Sequence, residues 1–120
     1  IYGLPVDYTV DAFPQAYYID PANAEIARFK ADGVRVYLTY SPRNSQAVSE
    51  ASTPEAIAVL DAYFRENLNA AILTPLQDSL LPGRYFYGTD NHLSTNGVAL
   101  RTAQVITALK DALQKEGLTP

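Results

Sequence analysis

Apolar residues recur at helical spacing in three stretches of the chain, alternate in one short stretch and form a continuous short run in another. Asp20-Pro21 opens the first helical stretch, because Asp caps orphan amides and Pro fits the first turn. The run 22–32 then puts Ile26 and Phe29 on one face, and Gly33 is the expected stop. Residues 34–40 are rich in β-branched and aromatic side chains, with Val34, Val36 and Leu38 alternating, so they predict a strand. Residues 41–52 are polar and read as a long loop. Thr53-Pro54-Glu55 starts a second helix by the same cap-and-Pro logic, and Ile57, Leu60, Phe64 and Leu68 carry its spacing through Asn67. A short run, 70–73, predicts a second strand before Pro75. Residues 76–95 read as irregular, with Pro82-Gly83 as a turn. The last helix is expected over 96–115, with Val98, Val105, Ile106, Leu109 and Leu113 as its apolar stripe and Gly117 as its end. Pro5, Pro14 and a surplus of Tyr give the first twenty residues no helical period, so 1–19 is expected to be an ordered, irregular or strand-like segment.

The order helix, strand, helix, strand, helix predicts an α/β fold with few parallel strands and helices packed on them. At 120 residues it is expected to form a single domain. With 9 basic against 13 acidic residues and a formal charge of −4, nucleic acid is not an expected partner, since phosphate binding needs clustered Lys and Arg. No apolar run reaches the roughly 20 residues of a membrane span, so no membrane contact is expected from this segment. Cys is absent, which removes disulfides and thiolate metal sites and is compatible with both cytosol and export. Met is also absent, even at position 1, so the chain is expected to be a piece of a longer protein. No Gly-rich phosphate loop is present and no cofactor is expected.

The one histidine, His92, lies in the polar stretch Tyr87-Gly88-Thr89-Asp90-Asn91-His92-Leu93-Ser94-Thr95-Asn96-Gly97, just before the last helix. A lone His is commonly a surface or structural residue. Three features point to chemistry instead: imidazole suits proton transfer near neutrality, Asp90 two positions away can orient it, and open α/β sheets place their sites in such loops. Asp90 and His92 alone are too few ligands for a closed metal site, so no metal is expected.

The stretch 90–97, followed by an amphipathic helix, resembles the last conserved block of the SGNH (G-D-S-L) hydrolase superfamily. The Asp-x-His spacing is closest to the acyltransferase-like branch that includes alginate O-acetyltransferases; there a Trp often follows the His, where this chain has Leu93. Upstream, 33–44 ends in Ser41-Pro42-Arg43-Asn44 and resembles the family's late strand and its x-Pro-x-Asn-like loop. The resemblance covers about residues 20–116. It implies a partial flavodoxin-like three-layer sandwich, with His92 as general base and Asp90 as its orienting partner. It also implies an acyl ester or carbohydrate substrate and an extracytoplasmic or cell-surface location.

The nucleophile block is missing: there is no Gly-Asp-Ser and no Gly-x-Asn-Asp. Ser94 is too close in sequence to His92 for a comfortable partner, and Ser41 reads as a turn residue before Pro42. A nucleophilic serine is therefore expected upstream, or not at all, and the isolated chain is expected to be inactive. Asn44 could line the cleft or cap a turn, and Arg43 beside it could hold substrate or simply be solvated. Tyr85 and Tyr87 could stack on a sugar or pack, and Asp78 could cap a turn or shape the cleft. The alternative is a non-catalytic α/β module that binds a glycan or protein, with an incomplete sheet that favours a homodimer.

Overall fold

The computed structural model describes residues 3–118. Its helices are α1 (Asp20–Ala31), α2 (Pro54–Asn67) and α3 (Thr95–Lys115); its strands are β1 (Tyr37–Leu38), β2 (Arg43–Asn44), β3 (Ala71–Ile72) and β4 (Leu80–Leu81). The strands form two two-stranded sheets, β1 with β3 and β2 with β4, both parallel. The fold is thus mixed α/β, with helices and a few short parallel strands. The described residues fall into two units, one of 6–38 and 48–72, the other of 3–5, 39–47 and 73–118.

In the first unit the helical path starts earlier than the sequence suggests. Pro14 caps a π-helical turn, Gln15–Ile19, which runs directly into α1. Asp20 therefore lies inside the helix and makes no capping bond, because the helical hydrogen bonds begin upstream of it, where Tyr17 and Tyr18 donate to the Pro14 carbonyl. A 3-10 turn, Val10–Ala12, precedes it, so the segment expected to be irregular carries two short helical turns. Phe13 packs edge-on against Tyr18 and Phe64, with ring centroids 4.9 and 5.3 Å away. Ile19, Ile26, Ile57, Leu60 and Ile72 are buried, whereas Phe29 lies half in solvent rather than on the inner face with Ile26. At the start of α2, Thr53 Oγ1 accepts the Ala56 N–H as expected.

The strand expected over 34–40 shortens to Tyr37–Leu38, paired in register with Ala71 and Ile72. A ladder extends only as far as its partner does, and β3 is only two residues long. Val34, which alternation placed inside, is exposed.

The second unit holds structure where the sequence reads as loop. Arg43 and Asn44 pair with Leu80 and Leu81, and 3-10 turns cover Leu76–Ser79 and Gly83–Tyr85. Ser94 caps α3 by accepting the Gly97 N–H, and its own N–H donates to the Tyr85 carbonyl at 2.7 Å. A Cβ at position 97 would collide with that carbonyl, so glycine is required where the helix start presses on the preceding turn. The inner face of α3 follows the expected stripe at Val105, Leu109 and Leu113, which are half-buried, and departs from it elsewhere. Its buried residues are Gly97 and Arg101, while Val98 and Ile106 are exposed. Hydrophobicity misplaces this face because a glycine and an arginine occupy its centre.

Among the described residues, no helix is long and apolar enough to cross a membrane, and no group of three or more His, Asp or Glu side chains could hold a metal ion.

Candidate functional site

The two segments singled out by the sequence meet within this second unit. The Asn44 N–H donates to the Asp90 carbonyl at 2.9 Å, and Asn44 Nδ2 donates to Asp90 Oδ1 at 3.1 Å. Asn44 Oδ1 accepts the Gln46 N–H at 3.0 Å, which folds the chain after β2 into a local turn. Both side chains are 4% exposed, so each has exchanged water for protein partners. A carboxylate removed from water needs such donors, and the Gly3 N–H supplies another to Oδ2 at 3.2 Å.

Arg43 points to the same place. Its guanidinium donates to the carbonyl of Ala47 (3.0 Å), to Asn91 Oδ1 (2.9 Å) and to the carbonyl of Leu4 (3.3 Å). Gly3, Arg43, Gly88, Thr89, Asp90 and Asn91 line a cavity of about 170 Å3.

The loop carrying Asp90 and His92 is built as a narrow ribbon. Phe86 and Leu93 form an antiparallel bridge, and the Tyr87 N–H donates to the His92 carbonyl at 3.0 Å. Gly88 takes a left-handed φ of 72° at the bend. Thr89 Oγ1 accepts from the amides of Asn91 and His92, which fixes the tip. Phe86 is buried and Tyr87 exposed, the alternation of a ribbon with one face inside.

The structure thus brings together Asp90, Asn44 and Arg43, and places His92 differently. The His92 side chain is exposed, and among the described residues its imidazole makes no hydrogen bond or ion pair. It is also absent from the lining of the cavity that Asp90 and Arg43 share. Tyr85 is half-buried beneath the Arg84 guanidinium, 4.8 Å from its ring centroid. Asp78 lines a separate cavity of about 440 Å3 against α3.

Two contributors carried no sequence signal. One is Gly3. The other is Arg101, 6% exposed on α3, which donates to Thr39 Oγ1 and the Tyr40 carbonyl, both at 2.7 Å, and to Gln104 Oε1 at 3.1 Å. It thereby anchors the residues just before Ser41-Pro42-Arg43-Asn44. Burial pushes its pKa below the ordinary value and the Asp78 charge pushes it back up. A guanidinium remains protonated at any working pH. Thr89 and Asn91, by contrast, belong to a Thr-Asp-Asn turn that residue type alone suggests.

The second unit's serines are accounted for. Ser79 is fully buried and donates to the Leu76 carbonyl, Ser94 caps α3, and Ser41 and Ser45 are exposed. Comparison with family models, with curated proteins and with solved structures finds no match.

Proposed function

We propose that this chain is the Asp/His-bearing part of an SGNH-type serine esterase or O-acyltransferase, with His92 as general base and Asp90 as its orienting partner. The single observation that carries the reading is the double hydrogen bond between Asn44 and Asp90. The two stretches on which the family resemblance rests are 46 residues apart in sequence and in direct contact in space. In this reading the chain is a portion of a flavodoxin-like sandwich, and the reaction passes an acyl group through a serine ester to water or a carbohydrate hydroxyl. No serine of the chain lies in a Gly-Asp-Ser block, so in this reading the nucleophile comes from chain outside these residues, in an extracytoplasmic parent. Arg43 lines the cavity and meets substrate there. Asn44, buried with both amide atoms engaged, acts through Asp90 as a positioning residue.

The test is acetyl-ester turnover by the parent protein. His92→Ala is expected to lower kcat/KM by about 100-fold or more, the usual worth of a positioned general base. Turnover within about twofold of wild type, well below that worth, overturns the reading.

One observation favours a second reading, a non-catalytic module that binds a glycan or protein: the His92 imidazole stands in solvent without a bond to Asp90. On that reading the His92→Ala protein keeps its partner, and concentration-dependent sedimentation reports the homodimer.

A further inference from the structure

The segment 3–5 reaches the Asp90 pocket without placing a side chain in the core. Gly3, Leu4 and Pro5 are all exposed, Leu4 at 88%. Its attachment is through the main chain. The Gly3 N–H donates to Asp90 Oδ2, and the Leu4 carbonyl accepts from Arg43 Nη2. At 3.2 and 3.3 Å both bonds are longer than a typical N–H···O contact. Gly3 itself lines the 170 Å3 cavity. Backbone atoms of residues 3–5 thus sit on two charged groups of opposite sign, and none of the three residues is buried.

We propose that segment 3–5 is an autoinhibitory strap. It is a backbone ligand bound in cis that occupies Asp90 and Arg43 and has to leave before Asp90 engages His92 and an acyl ester reaches Arg43. The proposal rests on the esterase reading for what is inhibited. Its geometry does not: Gly3 and Leu4 supply a donor and an acceptor one residue apart, matched to a carboxylate and a guanidinium. The class of ligand that displaces or mimics the strap follows from this. It is an extended peptide or other amide that offers an N–H to Asp90 and a carbonyl to Arg43. While the strap is seated, the Oδ2 bond belongs to Gly3. When it lifts, the Gly3 donation to Asp90, the residue whose proposed task is to orient His92, is lost.

Gly3 offers a clean pair of variants. A Cβ there meets nothing within 4 Å, so Gly3→Ala keeps the N–H at no steric cost. Gly3→Pro removes the N–H. In NMR spectra of the full chain, Gly3→Pro should shift the amide resonances of Asn44 and of residues 89–91, while Gly3→Ala leaves them at wild-type positions. The blocked peptide N-acetyl-Gly-Leu-Pro-amide, added to Gly3→Pro, should move them back. In the parent protein, Gly3→Pro should raise kcat/KM about tenfold over Gly3→Ala, as expected if the seated strap outweighs the open state by that ratio, and the peptide should reverse the gain. Matching spectra for the two variants, or equal turnover in an active parent, would overturn the strap. If no form turns over ester, the esterase reading fails, and the spectra still decide whether the segment is bound in cis.

Discussion

Asn44 and Asp90 show what a buried carboxylate needs. At 4% exposure Asp90 has lost most of its hydration, and N–H donors from Asn44 and Gly3 replace it. Asn44 is suited to this because its amide donates to Asp90 on one side and accepts the Gln46 N–H on the other. Asn44→Ala takes a donor from the buried Asp90 carboxylate and should lower stability by about 2 kcal/mol. Asn44→Asp sets two carboxylates together and should cost more. Urea unfolding with an unchanged m-value checks both; a loss below about 0.5 kcal/mol would show that water replaces the amide without penalty. Asp90 and Asn44 could be found in the sequence because each sits in a short, chemically distinctive stretch. Gly3 could not, since its contribution is a backbone N–H that any non-proline residue supplies and only the fold brings it to Asp90.

Among the elements, the starts of α2 and α3 and the β1–β3 pairing were legible, whereas the Asp20 cap, the β2–β4 ladder and the Arg101 face were not. Thr53 and Ser94 cap helices that fall within a residue of their expected starts, because a cap is a contact between neighbours in sequence. The parallel pairing of β1 with β3 follows from their strand–helix–strand order. The ladder of β2 with β4 has only two pairs, which leaves no period to detect. In α3 the inner face centres on Arg101, which hydrophobic spacing assigns to solvent. Its planar fork reaches Thr39, Tyr40 and Gln104 together. Arg101→Lys keeps the charge and loses the fork, and should cost about 2 kcal/mol. Arg101→Met strands the acceptors as well and should cost at least as much. If Lys were as stable as wild type in the same urea assay, charge rather than geometry would be what α3 supplies.

Across the whole molecule, the resemblance-bearing stretches 33–44 and 90–97 converge at Asn44 and Asp90 within one unit, and α3 fixes both by its Ser94 cap and its Arg101 anchor. The central claim is that Asp90 and His92 work as one catalytic unit, although the imidazole stands apart from the carboxylate while segment 3–5 is seated. A double-mutant cycle on acetyl-ester turnover by the parent protein tests it most directly. Asp90→Asn and His92→Ala should each lower kcat/KM by about 100-fold or more, and the double variant should be no slower than the slower single one. Losses that multiply, or single variants that turn over like wild type, would contradict it.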